Sequence, residues 1–270
     1  MGIINITPDS FSGDGILMRA DAGAFIDAAV AQGVAMASEG ADLLDVGGES
    51  SRPGHSPVDD AEERRRAVPV VRALREALPD MPISIDTTKV SVATAALDAG
   101  ADLINDVSGV VGSDALPRLA AERGVPYILM HDRAEARYRN LMAEIVAELE
   151  AAIERALGVG VAWDHLIVDP GVGFGKTADH NLHLLGRLSE LRILGRPMLV
   201  GTSRKSTIGK VLDVQADERL EGTLATTALA VAAGMDIVRV HDVEPNRRAA
   251  RMADAIYRRG AIGPSGWEPS

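Results

Sequence analysis

The chain has 270 residues, of which 46% are hydrophobic, 25% charged and none cysteine, and it carries a formal net charge of −11. That length and apolar content suit one barrel-sized core without a second domain. The lack of cysteine excludes a disulfide framework, a thiolate metal site and a cysteine nucleophile, in keeping with a cytoplasmic setting, and the acidic balance speaks against sequence-independent nucleic-acid binding.

The opening Met1-Gly2-Ile3-Ile4-Asn5 has no basic region and too short an apolar run for a signal peptide, and no later stretch is long enough to span a bilayer. Gly2–Ile6 instead predicts a first strand. A helical pattern follows, with Ile26, Val30, Gly33 and Ala37 on one face and a stop at Gly40. The phrase Gly40-Ala41-Asp42-Leu43-Leu44-Asp45 then recurs as Gly100-Ala101-Asp102-Leu103-Ile104-Asn105 and as Gly234-Met235-Asp236-Ile237-Val238-Arg239. In each, a glycine able to take the left-handed conformation ends a helix, and the short apolar run after it reads as a strand covered on both faces.

Further apolar runs at Pro82–Ile85, Pro126–Met130, Leu166–Val168 and Met198–Val200 bring the strands to about eight, the number of a closed barrel. Helical patterns separate them, as where Ile145, Leu149, Ile153 and Ala156 share a face. Alternating strands and helices with no linker predict one α/β domain over residues 1–270, a TIM (β/α)8 barrel. An open doubly wound sheet is the rival; the strand count and the lack of a Gly-x-Gly-x-x-Gly turn after the first strand count against it.

Each apolar run finishes in polar groups or glycine: Asn5, Asp45, Asp86, Asn105-Asp106, His131, Asp169, Gly201-Thr202-Ser203, and Arg239 with His241. In a closed barrel every carboxyl end faces one rim, so these residues converge on one mouth. Any one of them alone would as readily cap a helix or make a turn. Buried together, Asp45, Asp86, Asp169 and Asn105 need a ligand or partner with complementary donors. No His/Asp/Glu cluster has the spacing of a permanent metal cage, and His180 with His183 reads as a solvated helix face.

The segment Met1-Gly2-Ile3-Ile4-Asn5-Ile6-Thr7-Pro8-Asp9-Ser10-Phe11-Ser12, together with Gly47-Gly48-Glu49-Ser50-Ser51-Arg52-Pro53-Gly54, resembles the two signature loops of dihydropteroate synthases. The likeness continues in the same order through Ile85-Asp86-Thr87, Ile104-Asn105-Asp106-Val107-Ser108-Gly109, Asp169-Pro170-Gly171-Val172-Gly173-Phe174-Gly175-Lys176, Gly201-Thr202-Ser203-Arg204-Lys205-Ser206 and Arg239-Val240-His241-Asp242.

That resemblance implies a sulfonamide-target transferase of folate biosynthesis, which condenses 6-hydroxymethyl-7,8-dihydropterin diphosphate with p-aminobenzoate and releases pyrophosphate. It places the pterin on Asp86, Asn105, Asp169 and Lys205, with Met130 and Gly201 in the same pocket. The diphosphate falls to Asn5, Ser51, Arg52, Arg239 and His241. Guanidinium forks suit phosphate oxygens, although Arg239 and His241 by themselves would pass for a surface ion-pairing residue and a turn residue. Phe11, Pro53 and Phe174 become walls for the aminobenzoate ring, and Ser206 a donor to its carboxylate; Phe174 as local loop packing is the alternative. Asp86, Asp169, Lys205 and Asn5 form the implied catalytic set.

Mg2+ is expected with the diphosphate, held on the protein side by as little as the Asn5 oxygen. No protein nucleophile is needed, and Ser203 or Ser206 beside Lys205 makes no convincing triad. The loops Thr7–Gly15 and Ser50–Val58 are expected to close over the site. A homodimer is expected through the helices at Thr223–Gly234 and Pro245–Tyr257.

Some details depart from the family pattern. Ser51 stands where threonine is usual, Ser12-Gly13-Asp14-Gly15 replaces Ser-Asp-Gly-Gly, and Asp132-Arg133 predicts a quick return to helix where a longer loop is expected. Beginning at Met1-Gly2 leaves no room for a hairpin under the barrel. A methyltetrahydrofolate–corrinoid methyltransferase on the same barrel, or a silent pterin-binding paralogue, are the alternative functions.

Overall fold

The three glycines of the repeated phrase do stop helices. Gly40, Gly100 and Gly234 have φ of 91°, 111° and 92°, and behind each the next amide reaches back to close a Schellman turn, Ala41 N to Met36 O, Ala101 N to Ala96 O and Met235 N to Ala230 O, at 2.9, 2.9 and 3.0 Å. The aspartate of the phrase has its own use: Asp102 Oδ2 accepts from Ile83 N at 2.7 Å and Asp236 Oδ2 from Met198 N at 2.9 Å. Each therefore satisfies an amide at the start of a neighbouring strand, which is a physical reason for Gly-x-Asp to recur.

The computed structural model describes residues 1–6, 22–49 and 58–257. Phe11, Ser51, Arg52, Pro53 and the loops that hold them lie outside these residues. The elements run β1 (Gly2–Asn5), α1 (Ala22–Ser38), β2 (Leu44–Gly47), α2 (Asp60–Ala77), β3 (Ile83–Asp86), α3 (Val90–Asp98), β4 (Leu103–Asp106), α4 (Ala115–Arg123), β5 (Tyr127–Met130), α5 (Leu141–Gly158), β6 (Leu166–Asp169), α6 (Ala178–Leu185), β7 (Leu199–Val200), α7 (Ser206–Leu212), α8 (Leu220–Ala233), β8 (Ile237–Val238) and α9 (Val243–Tyr257).

Strands β1 to β6 pair in chain order, all parallel, and β7 pairs with β8. Single bridges, Val168 to Met198 and Gly2 to Val240, join the two sheets at both seams. The wall is thus closed, and the (β/α)8 barrel is the observed fold.

Register then decides what each strand residue faces, because side chains alternate across the wall. Ile4, Leu44, Val46, Ile83, Ile85, Ile104, Tyr127, Leu129, Leu166, Val168 and Val200 belong to the large apolar cluster between wall and helices. The other parity points into the barrel. Met1, Leu103, Ile128 and Leu199, with Leu43, Ile167 and Ile237, form a separate small cluster that plugs the lower lumen. Above it, on the same parity by the strand register, come Asn5, Asp45, Asp86, Asn105, Met130 and Asp169.

Two local readings need correction. On α1 the buried stripe is Phe25, Ala29, Gly33 and Met36, with Ile26 and Val30 only flanking it; a Cβ on Gly33 would lie 2.4 Å from Leu74 Cδ2, so this glycine brings α1 close to α2. The predicted quick return to helix after Asp132-Arg133 is also wrong. Residues 131–140 are non-helical and α5 starts only at Leu141, behind Asn140, whose side chain accepts from Ala143 N. Arg133 holds this longer loop by reaching Glu144 at 3.0 Å and also pairing with Glu148.

Candidate active site

Strand ends on the inward parity bring four of the predicted polar groups into one hydrogen-bonded cluster. Asp45 is fully buried, and its Oδ2 receives Asn105 Nδ2 at 3.1 Å and Arg239 Nε at 2.6 Å. Arg239 also donates from Nη2 to Asp86 Oδ2 at 2.7 Å. Arg239, expected at the diphosphate, here bridges Asp86 of the predicted pterin pocket and Asp45 beside it. Because Asp45 takes the Nδ2 of Asn105, the amide is oriented with its Oδ1 turned away from that carboxylate, available to accept from a ligand.

Asp169 ends β6 on the same face, and its Oδ1 accepts from Gly171 N at 2.7 Å. Lys205, from the loop after β7, donates to Val172 O and sits 4.8 Å from the centre of the Phe174 ring. Phe174, expected beside the aminobenzoate, and Lys205, expected at the pterin, thus lie side by side. Met130 is buried on the inward face of β5, and a Cβ on Gly201 would approach Arg239 at 3.7 Å. Ser206 stands exposed as the first residue of α7.

Three carboxylates thus face two cations in the upper lumen. Burial pushes Asp86 up to about 7, against the pull of Arg239 and with further upward push from Asp45. Burial likewise raises Asp169, opposed by Lys205, and it lowers Lys205 to about 8, opposed by Asp169. Perturbation of several groups by burial within one concavity is typical of a site that binds and reacts.

At the outer edge, Asn5 is half-buried at the end of β1 and its side chain makes no hydrogen bond to another described residue. His241 Nδ1 lies 2.9 Å from Ser203 Oγ, which also accepts from His241 N at 3.1 Å. Ser203 therefore serves the histidine's orientation. Arg204, held at φ 56°, forks onto Asp242 at 3.1 and 2.6 Å.

His131, read as a rim residue, faces outward instead: it is fully buried and its Nε2 lies 3.0 Å from Glu148 Oε2 of α5. Asp106 also faces outward, bound by Ser108 and Tyr127. His180 caps α6 through Thr177 and packs edge-on to Tyr138 at 5.1 Å, and His183 lies 3.0 Å from Arg187. Sequence reasoning missed Lys176, whose half-buried side chain meets His131 Nδ1 at 2.8 Å and the carbonyls of Gly171 and Phe174 at 3.0 Å each. The available signal was a lone lysine ending a glycine-rich stretch. Among the described residues no three His, Cys, Asp or Glu side chains could hold a metal ion by themselves, and no helix is long and apolar enough to cross a membrane.

Comparison with known proteins identifies the relatives of this chain. A family model described as pterin binding enzyme matches residues 1–241. A curated dihydropteroate synthase of Clostridium beijerinckii is 47% identical over 262 residues, covering 96% of this chain and 94% of the relative. Among solved structures, a dihydropteroate synthase from Clostridium difficile in the presence of pteroic acid is similar at TM-score 0.90 and 47% identity, over 96% of each chain. The Yersinia pestis enzyme in a sulfonamide drug complex is similar at TM-score 0.88 and 40% identity, over 95% of this chain and 93% of that one.

Proposed function

The chain belongs to the family of pterin binding enzymes, and on that premise we propose how its barrel mouth carries out the dihydropteroate synthase reaction. It joins 6-hydroxymethyl-7,8-dihydropterin diphosphate to p-aminobenzoate and releases pyrophosphate. The observation that carries the residue-level reading is the cluster of Asp86, Asn105 and Asp169 on one inward face with Lys205 and Arg239 between them.

The pterin edge presents an exocyclic amine and ring N–H groups as donors, and Asp86, Asp169 and Asn105 Oδ1 accept them. Lys205 donates to a ring nitrogen or carbonyl, exchanging Val172 O for the ligand. The bond from the exocyclic methylene carbon to the diphosphate oxygen then breaks, the electron pair leaves with pyrophosphate, and the carbon's positive charge spreads into the ring. Asp86 and Asp169 stabilise that charge when ionised. The arylamine nitrogen attacks the same carbon, and its proton passes to water as the new C–N bond forms. Catalysis rests on electrostatics and positioning.

The diphosphate end falls to Asn5, Ser51, Arg52 and His241, with Phe11, Pro53, Phe174 and Ser206 around the aminobenzoate. Arg239 serves either partner: it neutralises Asp45 and Asp86 and can turn its remaining N–H groups to phosphate. Asn5 fits a Mg2+ site in part, because its side chain is unengaged by described residues and a carboxamide oxygen is a hard donor, while the other ligands would come from the diphosphate and water. When bound, such an ion supplies charge neutralisation on the leaving oxygens.

The same reading takes residues 1–270 as one cytoplasmic unit, and as a homodimer through α8 and α9, where Leu229, Met252, Ile256 and Tyr257 are exposed; sedimentation of wild type against Met252→Glu tests that assembly. The function itself is tested by pyrophosphate release from the pterin diphosphate with Mg2+, with and without p-aminobenzoate. Release that depends on aminobenzoate and is lost in Lys205→Ala supports the reading. Pterin binding without release would leave a silent paralogue, and no binding would refute the site.

A further inference from the structure

Asp169, Phe174 and the carbonyl that receives Lys205 all sit on or beside one short loop, residues 171–175, and that loop needs something to fix it. Three of its glycines are left-handed, Gly171, Gly173 and Gly175, at φ 65°, 89° and 54°. Two of them abut the neighbouring loop backbone to backbone: a Cβ on Gly171 would lie 1.8 Å from His131 O, and one on Gly175 2.1 Å from Arg133 O. Within the loop the amides reach Asp169 Oδ1 from Gly171 and Asn181 Oδ1 from Gly173, at 2.7 and 2.8 Å. The carbonyls of Gly171 and Phe174 are instead gathered by the ammonium of Lys176.

The third acceptor of that ammonium is His131 Nδ1. An ammonium has only donors, so Nδ1 must present a lone pair and the ring proton must be on Nε2. There it faces Glu148 Oε2 at 3.0 Å, which fixes the tautomer. Glu148 is in turn paired with Arg133. Burial keeps the imidazole neutral, lowering it to about 4, with Lys176 pressing the same way. Burial lowers Lys176 to about 7, opposed by Asp169; while it is charged, the chain Glu148, His131, Lys176 has one proton arrangement, and it ends on the loop that carries the pocket.

We propose that Lys176 is a positioning residue for this reaction: seated on the His131–Glu148 pair, it holds the 171–175 loop so that Asp169, Val172 O and Phe174 face the substrates. It touches no substrate. This rests on the synthase reading above, and wild-type turnover in the assay just described is its precondition, so an inactive wild type would count against that reading and not against this one.

The test uses the full chain as Lys176→Met, His131→Leu and His131→Gln, each assayed well below its melting temperature. Glutamine keeps an acceptor for Lys176 and a donor for Glu148, whereas leucine keeps neither. Calorimetric affinity for 6-hydroxymethylpterin is expected to weaken about tenfold or more in Lys176→Met and His131→Leu, with kcat/KM falling by on the order of 10²-fold. His131→Gln should recover most of both. A role confined to stability would lower only the melting temperature. Pterin affinity and kcat/KM within twofold of wild type in folded Lys176→Met, or equal losses in His131→Gln and His131→Leu, would overturn the proposal.

Discussion

Asp86 and Asp106 end neighbouring strands, are buried to 7% and 1% exposure, and are both pushed above the usual carboxylate range by burial first. They differ in who satisfies them. Asp106 points outward and receives Ser108 N at 2.8 Å, Ser108 Oγ at 2.6 Å and the Tyr127 hydroxyl. Asp86 points into the lumen and, among described residues, receives only Arg239, a guanidinium it shares with Asp45. Asp45 itself keeps a buried Oδ1 with no partner among the described residues. A buried acceptor left short of donors costs free energy that an arriving donor recovers. The outer corner is complete without a ligand; the inner cluster is not.

The largest effect that could break this contrast is Asp86→Asn. It removes the charge that accepts the pterin edge and stabilises the reacting carbon, so kcat/KM for pyrophosphate release should fall by about 10²-fold to 10³-fold or more. The fold should survive, since Arg239 keeps Asp45. Asp106→Asn, the matched change, replaces one acceptor with a donor opposite Ser108 or Tyr127 and should cost about 1–3 kcal/mol in urea unfolding. Turnover by the folded fraction should stay within about threefold of wild type. Loss of turnover in well-folded Asp106→Asn would erase the distinction.

Much of this contrast was legible beforehand. The strand ends, the helix-stopping glycines and the convergence of Asp86, Asn105 and Asp169 all follow from short apolar runs and the geometry of a closed barrel. What the run-end reading lost was parity. Asn105-Asp106 reads as one polar terminus and His131 as another, yet alternation sends Asn105 inward and Asp106 and His131 outward. Counting from Leu103 and Ile128 would have separated them. The partners that decide roles were out of reach, because Glu148 for His131 comes from the following helix and Arg239 for Asp86 from 153 positions along the chain, and no periodicity encodes such pairings. The length of the loop before α5 was misjudged because its contacts to Glu144 and Glu148 are tertiary.

Titration sharpens the comparison by a smaller amount. Unfolded, Asp86 has an ordinary carboxylate pKa near 4; folded, it is near 7. Stability from the protonated form is therefore fully present below about pH 4 and lost as pH rises through about 7. Asp86→Asn lacks that loss. Its melting temperature relative to wild type should shift upward by a few degrees between pH 5 and pH 8, while pterin affinity of the wild type improves over the same range as Asp86 ionises. A flat difference would mean that Arg239 already holds Asp86 ionised throughout.

The smallest effect is expected at Ser108→Ala. The Ser108 hydroxyl shares Asp106 Oδ1 with the backbone amide of the same residue, and the Tyr127 hydroxyl covers Oδ2. Deleting it leaves both carboxylate oxygens with a donor, so only about 0.5–1.5 kcal/mol should be lost in urea unfolding. Neither KM nor kcat should move, because the bond lies on the far side of the wall from Asn105. A change of more than twofold in KM for the pterin substrate would show that the outer corner of β4 sets the position of Asn105, and the two faces would then have to be treated as one coupled unit.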